Sequence, residues 1–208
     1  MSLYLSRLTF NAHHNRAQSE FKYPYEFHRA ISKAWENPAA ARILFRQEQV
    51  NAATITVIVQ SQTSPDWPRL ETPREYLQEI VGPKLIELQG IKEGQQLQFR
   101  LRCRPCKRIG KRDEKDVGKR KGLNSKEEII EWIHRKAQLG GFEIHEVAFD
   151  RVYWCDSKGG LKDKPVLGAV VFDGVLIVAD SHKMREVIRN GIGTQKAFGF
   201  GLLSVALV

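Results

Sequence analysis

Tyr25 and His28 stand three residues apart in the stretch Tyr23-Pro24-Tyr25-Glu26-Phe27-His28-Arg29-Ala30-Ile31-Ser32-Lys33. On a helix, positions i, i+3, i+4 and i+7 share a face, so Tyr25, His28, Arg29 and Ser32 gather on one side. A phenol and an imidazole can each carry a proton, and a guanidinium binds anions. RNA transesterification asks for such a set. A ribose 2′-OH loses a proton, the 5′-O leaving group gains one, and both steps can be shared by His, Tyr or a water. A nearby cation, Arg29 or Lys33, can hold the charge of the phosphorane. A histidine on a polar helix face is more often merely solvated, so the remaining sequence has to decide between these readings.

The segment itself reads as the opening of a helix. Pro24 suits the first helical position, where its missing N–H costs nothing. Phe27, Ile31 and Ala34 fall on the opposite, buried face, and Asn37-Pro38 ends the run near Glu36. Ahead of it, Leu3–Phe10 alternates like a strand and the polar residues 11–22 read as a loop. Residues 42–48 and 54–60 are expected strands joined through Asn51–Ala53, the second rich in β-branched residues. A short helix over 73–80 and a short strand over 84–88 complete the first set.

Gly90–Gly94 marks a boundary. Beyond it the spacing predicts a strand over 96–102, with Leu97, Phe99 and Leu101 on one side and Arg100 and Arg102 on the other. Ser125 and Glu128 form a capping box for a helix with an apolar stripe of Ile129, Ile130, Ile133 and Ala137, ending at Gly140-Gly141. Strand 142–149 follows. Segments 152–155 and 165–172 flank a Lys- and Gly-rich hairpin tip, and Asp173-Gly174 reads as a turn into strand 175–178. Asp180 or Ser181 caps a helix to about Arg189, Gly191–Gly201 is a glycine loop, and 202–207 is the last strand. Both halves therefore run β-α-β-β-α-β, the order of the ferredoxin-like fold. The expected fold class is α+β, with two tandem ferredoxin-like domains over 1–90 and 91–208.

Charge narrows the partner. The chain of 208 residues carries a formal net charge of +9, with 42% hydrophobic residues. Between Arg100 and Gly122 there are eleven basic residues against three acidic ones, nearly the whole surplus. Like charges crowded on one segment repel unless a polyanion screens them, which points to nucleic acid. The glycine loop holds four glycines in eleven residues with Lys196 among them. Its backbone N–H groups are candidates to wrap phosphates, although it leaves a helix and feeds a strand, unlike a dinucleotide fingerprint. The alternative is a tight helix-to-strand connection.

Three cysteines, including Cys103-Arg104-Pro105-Cys106, suit a reducing cytoplasm. The pair lacks partners at zinc spacing and interrupts a basic run, so it reads as coincidence. No cluster has metal-ligand spacing, and neither metal nor cofactor is expected. The longest apolar runs are far shorter than the ~20 residues of a membrane span, and no signal peptide is apparent.

Taken in order, Pro24-Tyr25-Glu26-x-His28-Arg29, the Arg100-Leu101-Arg102 strand leading into Pro-x-Lys-Arg, and Gly191-Ile192-Gly193-x-x-Lys196-Ala197-x-Gly199-x-Gly201-Leu202-Leu203-Ser204 resemble the CasE family. These are the CRISPR RNA endoribonucleases of the type I-E Cascade complex. The resemblance implies metal-independent cleavage of precursor CRISPR RNA on the 3′ side of a repeat stem-loop, leaving a 2′,3′-cyclic phosphate. It assigns His28 as the active histidine and Tyr25 as its partner. It places Arg29 and Lys33 where the family binds the scissile region, and the basic run and the glycine loop add Arg100, Arg102, Arg104, Lys107, Arg108, Gly191, Gly193, Lys196, Gly199 and Gly201 as candidate RNA-binding residues. It also implies a groove-entering hairpin over 152–172, with Lys158, Lys162 and Lys164 at its tip. The expected partners are the repeat stem-loop and other Cascade subunits, with no membrane. The alternative is a non-catalytic RNA-binding subunit of a CRISPR ribonucleoprotein.

Overall fold

The structure, a computed structural model, describes residues 2–49, 51–109, 118, 120–154 and 167–208. The first half opens with β1 (Ser2–Asn11), two helices, α1 (Asn15–Lys22) and α2 (Pro24–Ser32), and the single turn α3 (Pro38–Ala41). Strands β2 (Leu44–Gln49), β3 (Thr54–Ser61) and β4 (Leu77–Glu87) follow. Their sheet has the order β2-β3-β1-β4, every neighbour antiparallel. The β-branched run of β3 lies between β1 and β2, where a stiff side chain packs on a pleated surface.

The second half holds β5 (Gln96–Cys103), a small ribbon of β6 (Cys106–Arg108) and β7 (Arg120–Gly122), and α4 (Lys126–Leu139). It ends with β8 (Phe142–Trp154), β9 (Leu167–Val178), α5 (Ser181–Asn190) and β10 (Leu203–Leu207). The second sheet is ordered β10-β5-β9-β8. Numbered within each half, both sheets share the strand order of the split βαβ unit, so the molecule is a tandem of ferredoxin-like folds.

Three expectations are corrected. Residues 15–22 form a helix, because His14 Nδ1 accepts the Arg16 N–H at 3.2 Å and Phe21 packs against Phe10 and Phe27. Only Ala17 and Phe21 mark its apolar face, too few for periodicity to register. The helix expected over 73–80 is instead a turn over 74–76 that runs into β4, and β4 also takes in most of the strand expected over 84–88. β1 offers an open ladder along its whole length, and pairing from Ser2↔Glu87 to Phe10↔Leu77 fills it. Asp173-Gly174 is not a turn but the middle of β9. A Cβ on Gly174 would lie 2.0 Å from the Glu146 carbonyl oxygen, so glycine is there for close strand approach.

Each sheet covers its own apolar cluster, Leu8, Phe10, Phe27, Ile31 and Phe45 in the first and Leu97, Leu101, Ile133, Phe172 and Leu176 in the second. Leu3 and Leu88 of the first half join the second cluster. Polar side chains tie the halves further. The Gln60 amide donates to the Ile188 carbonyl at 2.8 Å, and the buried Arg46 guanidinium donates to Arg100 O, Leu202 O and Ser204 Oγ. No helix among the described residues is long and apolar enough to cross a membrane. Cys103 is buried in the core of the second half, where burial pushes its thiol pKa well up.

Candidate active site and nucleic-acid interface

Phe27 and Ile31 anchor α2 in the first core, which turns Tyr25, His28 and Ser32 outward along one flank. The Tyr25 and His28 rings lie nearly parallel, 8° apart with centroids at 6.3 Å. Tyr25 is half exposed and also meets Phe198 of the glycine loop at 5.8 Å. His28 sits beside Phe45 of β2 at 6.2 Å. Burial among these groups lowers the His28 pKa, because desolvation penalises the imidazolium. The imidazole is therefore predominantly neutral at pH 7.

Ser32 orients that ring. Its hydroxyl donates to the His28 carbonyl at 2.6 Å, so the oxygen that faces His28 Nδ1 at 3.5 Å has only lone pairs left. At that length the contact is weak, but it favours the proton on Nδ1 and a lone pair on Nε2.

The helix face that the spacing unites is divided in space. Arg29 is ion-paired to Glu26 at 3.1 Å. With Lys33 it lines a cleft of 520 Å³ against α1, shared with Arg16, Ser19, Glu20, Tyr23, Glu26 and Ala30. His28 and Tyr25 look instead toward the glycine loop.

That loop is built differently from the expected phosphate wrap. The N–H groups of Gly191, Gly199 and Gly201 are given to Val187 O, Lys196 O and Arg102 O, at 2.8, 3.1 and 2.8 Å. Glycine is needed for conformation and space. Gly199 (φ +79°) lies so close to Phe45 that a Cβ would fall 2.9 Å from its ring, and a Cβ on Gly201 (φ +87°) would fall 2.5 Å from Ile192 O. Gly191 and Gly193 also have positive φ, the first against Leu44 and the second beside Trp132. The loop thereby lies on β2 and brings Phe198 to Tyr25. Lys196 is partly buried; burial, with the charges of Arg42 and Lys136, pulls its pKa down. A lysine so placed gains from a nearby anion.

The basic strand and ribbon divide in the same way. Arg100 is held by Asp173 (Nε to Oδ1, 2.6 Å) on the neighbouring strand of its own sheet and by Glu48 (3.2 Å) on β2 of the other sheet. The Arg102 guanidinium packs 5.8 Å from the Phe200 ring centroid. Lys107 is paired with Glu128 at 2.7 Å. Arg108 is exposed on β6. Arg104 and Arg120 line a smaller pocket of 330 Å³ with Cys106, Gly118, Thr194 and Gln195. Lys158, Lys162 and Lys164 lie outside the described residues.

Sequence spacing did not reveal Phe45, Phe198 or the cross-linking Arg46. Phe198 lies among the glycines of the loop, and Phe45 and Arg46 lie in a strand whose pattern does not single them out.

A stacked Tyr-His pair at the junction of two ferredoxin-like folds, beside a basic half, defines the class. The chain belongs to the CRISPR-associated protein family, whose model matches residues 3–206, and within it to the CasE group. It is 33% identical to the CRISPR-associated endoribonuclease Cse3 of Thermus thermophilus, over 98% of this chain and all of that one. It is 30% identical to the CRISPR system Cascade subunit CasE of Escherichia coli, over 88% of this chain and 91% of that one. Thermus thermophilus Cse3 bound to an RNA representing a pre-cleavage complex superposes with a TM-score of 0.83 at 32% identity, covering 99% of this chain and 100% of that one.

Proposed function

We propose that this protein is the endoribonuclease that matures CRISPR RNA. It binds the repeat stem-loop of the precursor and cuts at its 3′ side. The 2′-OH next to the scissile phosphate loses its proton and attacks phosphorus. The P–O5′ bond breaks, the 5′-O takes up a proton, and the upstream product ends in a 2′,3′-cyclic phosphate. His28 and Tyr25 share the two proton transfers. Lys196 supplies positive charge around the phosphate from the glycine loop, and Arg29 and Lys33, on the neighbouring flank of α2, hold the RNA next to it. These side chains can carry the reaction without a bound metal, so cleavage is expected to persist in EDTA.

The observation that carries this reading is the Tyr25-His28 pair itself: two proton-bearing rings, parallel, accessible, with the imidazole held neutral by burial. The exposed cations of the second half, Arg108 and those around Arg104 and Arg120, hold the stem-loop, joined by Lys158 and Lys162 of the hairpin. The domain division falls at residues 90 and 91, with the catalytic helix in the first domain. The product stays with the other Cascade subunits in the cytoplasm. Incubating a cognate repeat hairpin with wild type and His28→Ala in EDTA tests the reading. Cutting only by wild type supports it, and stem-loop binding without cutting by wild type would make the protein a non-catalytic subunit.

A further inference from the structure

We propose that the cleft between α1 and α2 is a second RNA subsite, one that holds the strand leaving on the 3′ side of the cut. This rests on the endonuclease reading and adds to it a place for the part of the substrate beyond the stem-loop.

The cleft measures 520 Å³, within the range of sites that take a ligand of drug or nucleotide size (~300–1,000 Å³). Its walls carry what single-stranded RNA uses. Arg16, Arg29 and Lys33 offer positive charge, Ser19 a hydroxyl, and Tyr23 a ring on which a base can stack. The two carboxylates in the lining, Glu20 and Glu26, are each met by a guanidinium, Arg16 at 2.9 Å and Arg29 at 3.1 Å. With Glu20 and Glu26 so paired, the lining carries one surplus positive charge, that of Lys33, and an incoming phosphate meets no bare carboxylate.

Direction assigns the cleft to one side of the cut. The flank of α2 that bears His28 and Tyr25 meets Phe198, on the side of the basic half that holds the stem. The cleft is on the other flank. Around α2 the polar residues run without a gap from His28 through Ser32, Tyr25 and Arg29 to Lys33, an arc of roughly 140° at about 100° per residue. A strand whose scissile phosphate lies at His28 and whose stem lies on the second half must leave across this arc. After about one helix diameter, ~10 Å, it arrives between α1 and α2.

Single-turnover cleavage of two repeat hairpins tests this. One RNA ends at the first nucleotide beyond the cut, and the other carries a long single-stranded 3′ extension. Wild type is expected to reach half-maximal rate at about fivefold or more lower enzyme concentration with the extended RNA, the effect of stacking a single base. Ser19→Trp, which fills the cleft from an exposed position on α1, and Tyr23→Ala, which removes the ring, should each bring that ratio close to one. If either variant fails to fold, the other still decides. An extension that brings wild type no advantage, or a ratio that folded variants retain, overturns the proposal. Wild type that cuts neither RNA overturns the endonuclease reading, and this proposal with it.

Discussion

The proton exchange proposed for His28 is tied to its partial burial. Packing against Phe45 and beside Tyr25 costs the imidazolium its hydration, so the neutral ring dominates at a lower pH than the usual midpoint of about 6.5. If His28 takes the 2′-OH proton, the sign follows. The single-turnover rate rises with pH through the depressed midpoint and is level by neutrality; protonation at lower pH removes the base. If His28 gives a proton to the leaving group, the rate falls with rising pH over that same window. A pH–rate profile distinguishes the two, and a midpoint above 6.5 would contradict the burial account. Replacing His28 with Ala should slow cutting by about 10²–10⁴-fold, the usual size of acid–base catalysis. RNA affinity should change little, since the proposed stem contacts lie elsewhere; filter binding alongside the rate assay checks this.

At the scale of elements, the glycine loop behaves as a shaped strut. Gly201→Ala combines a positive φ, worth about 1–2 kcal/mol against a side chain, with a Cβ 2.5 Å from Ile192 O. The loop should shift off β2 and take Phe198 from Tyr25, lowering both Tm and cleavage rate. Thermal unfolding and single-turnover cleavage measure the two losses together. The strand and ribbon make a second contrast. Arg100 already serves Asp173 and Glu48, so Arg100→Ala should lower Tm while leaving the salt dependence of RNA binding almost unchanged. Arg108 is exposed on β6, and Arg108→Ala should weaken RNA binding and reduce the salt slope by about one ion.

Much of this element order was legible because it is local. Alternation exposed β1 and β5, and a β-branched run exposed β3; Pro24 and the Phe27-Ile31 stripe exposed α2; the Ser125-Glu128 box exposed α4. What failed was decided elsewhere in the chain. α1 has two apolar residues, and β4 exists because β1 has an open edge. Gly174 looks like a turn until β8 lies against it. The site shows the same division. Tyr25 and His28 could be read from spacing on one helix. The separation of Arg29 and Lys33 from them depends on where α1 and the glycine loop pack.

Across the whole molecule, β2 joins the halves of the site. Phe45 lies under His28 and against Gly199, while its neighbour Arg46 points the other way. There it bonds to β5 through Arg100 O, reaches Leu202 O just before β10, and bonds to Ser204 Oγ on β10, with Glu48 at 2.6 Å. Removing Arg46 leaves Glu48 its bond to Arg100 but takes a buried donor from the Arg100 and Leu202 carbonyls, a loss of about 1–3 kcal/mol for a buried group left unpaired. Arg46→Met should therefore show a loss of that order in urea unfolding. Arg46→Lys, which keeps the charge but not the fork, should recover part of it.

The most direct test of the central claim is the chemistry of the cut end. A cognate repeat hairpin is incubated in EDTA with wild type and with His28→Ala, and the upstream product is analysed at its 3′ terminus. The expected result is one cut at the 3′ side of the stem, ending in a 2′,3′-cyclic phosphate, with wild type alone producing it at an appreciable rate. A 3′-hydroxyl terminus, or equal cutting by His28→Ala, would contradict proton transfer at His28.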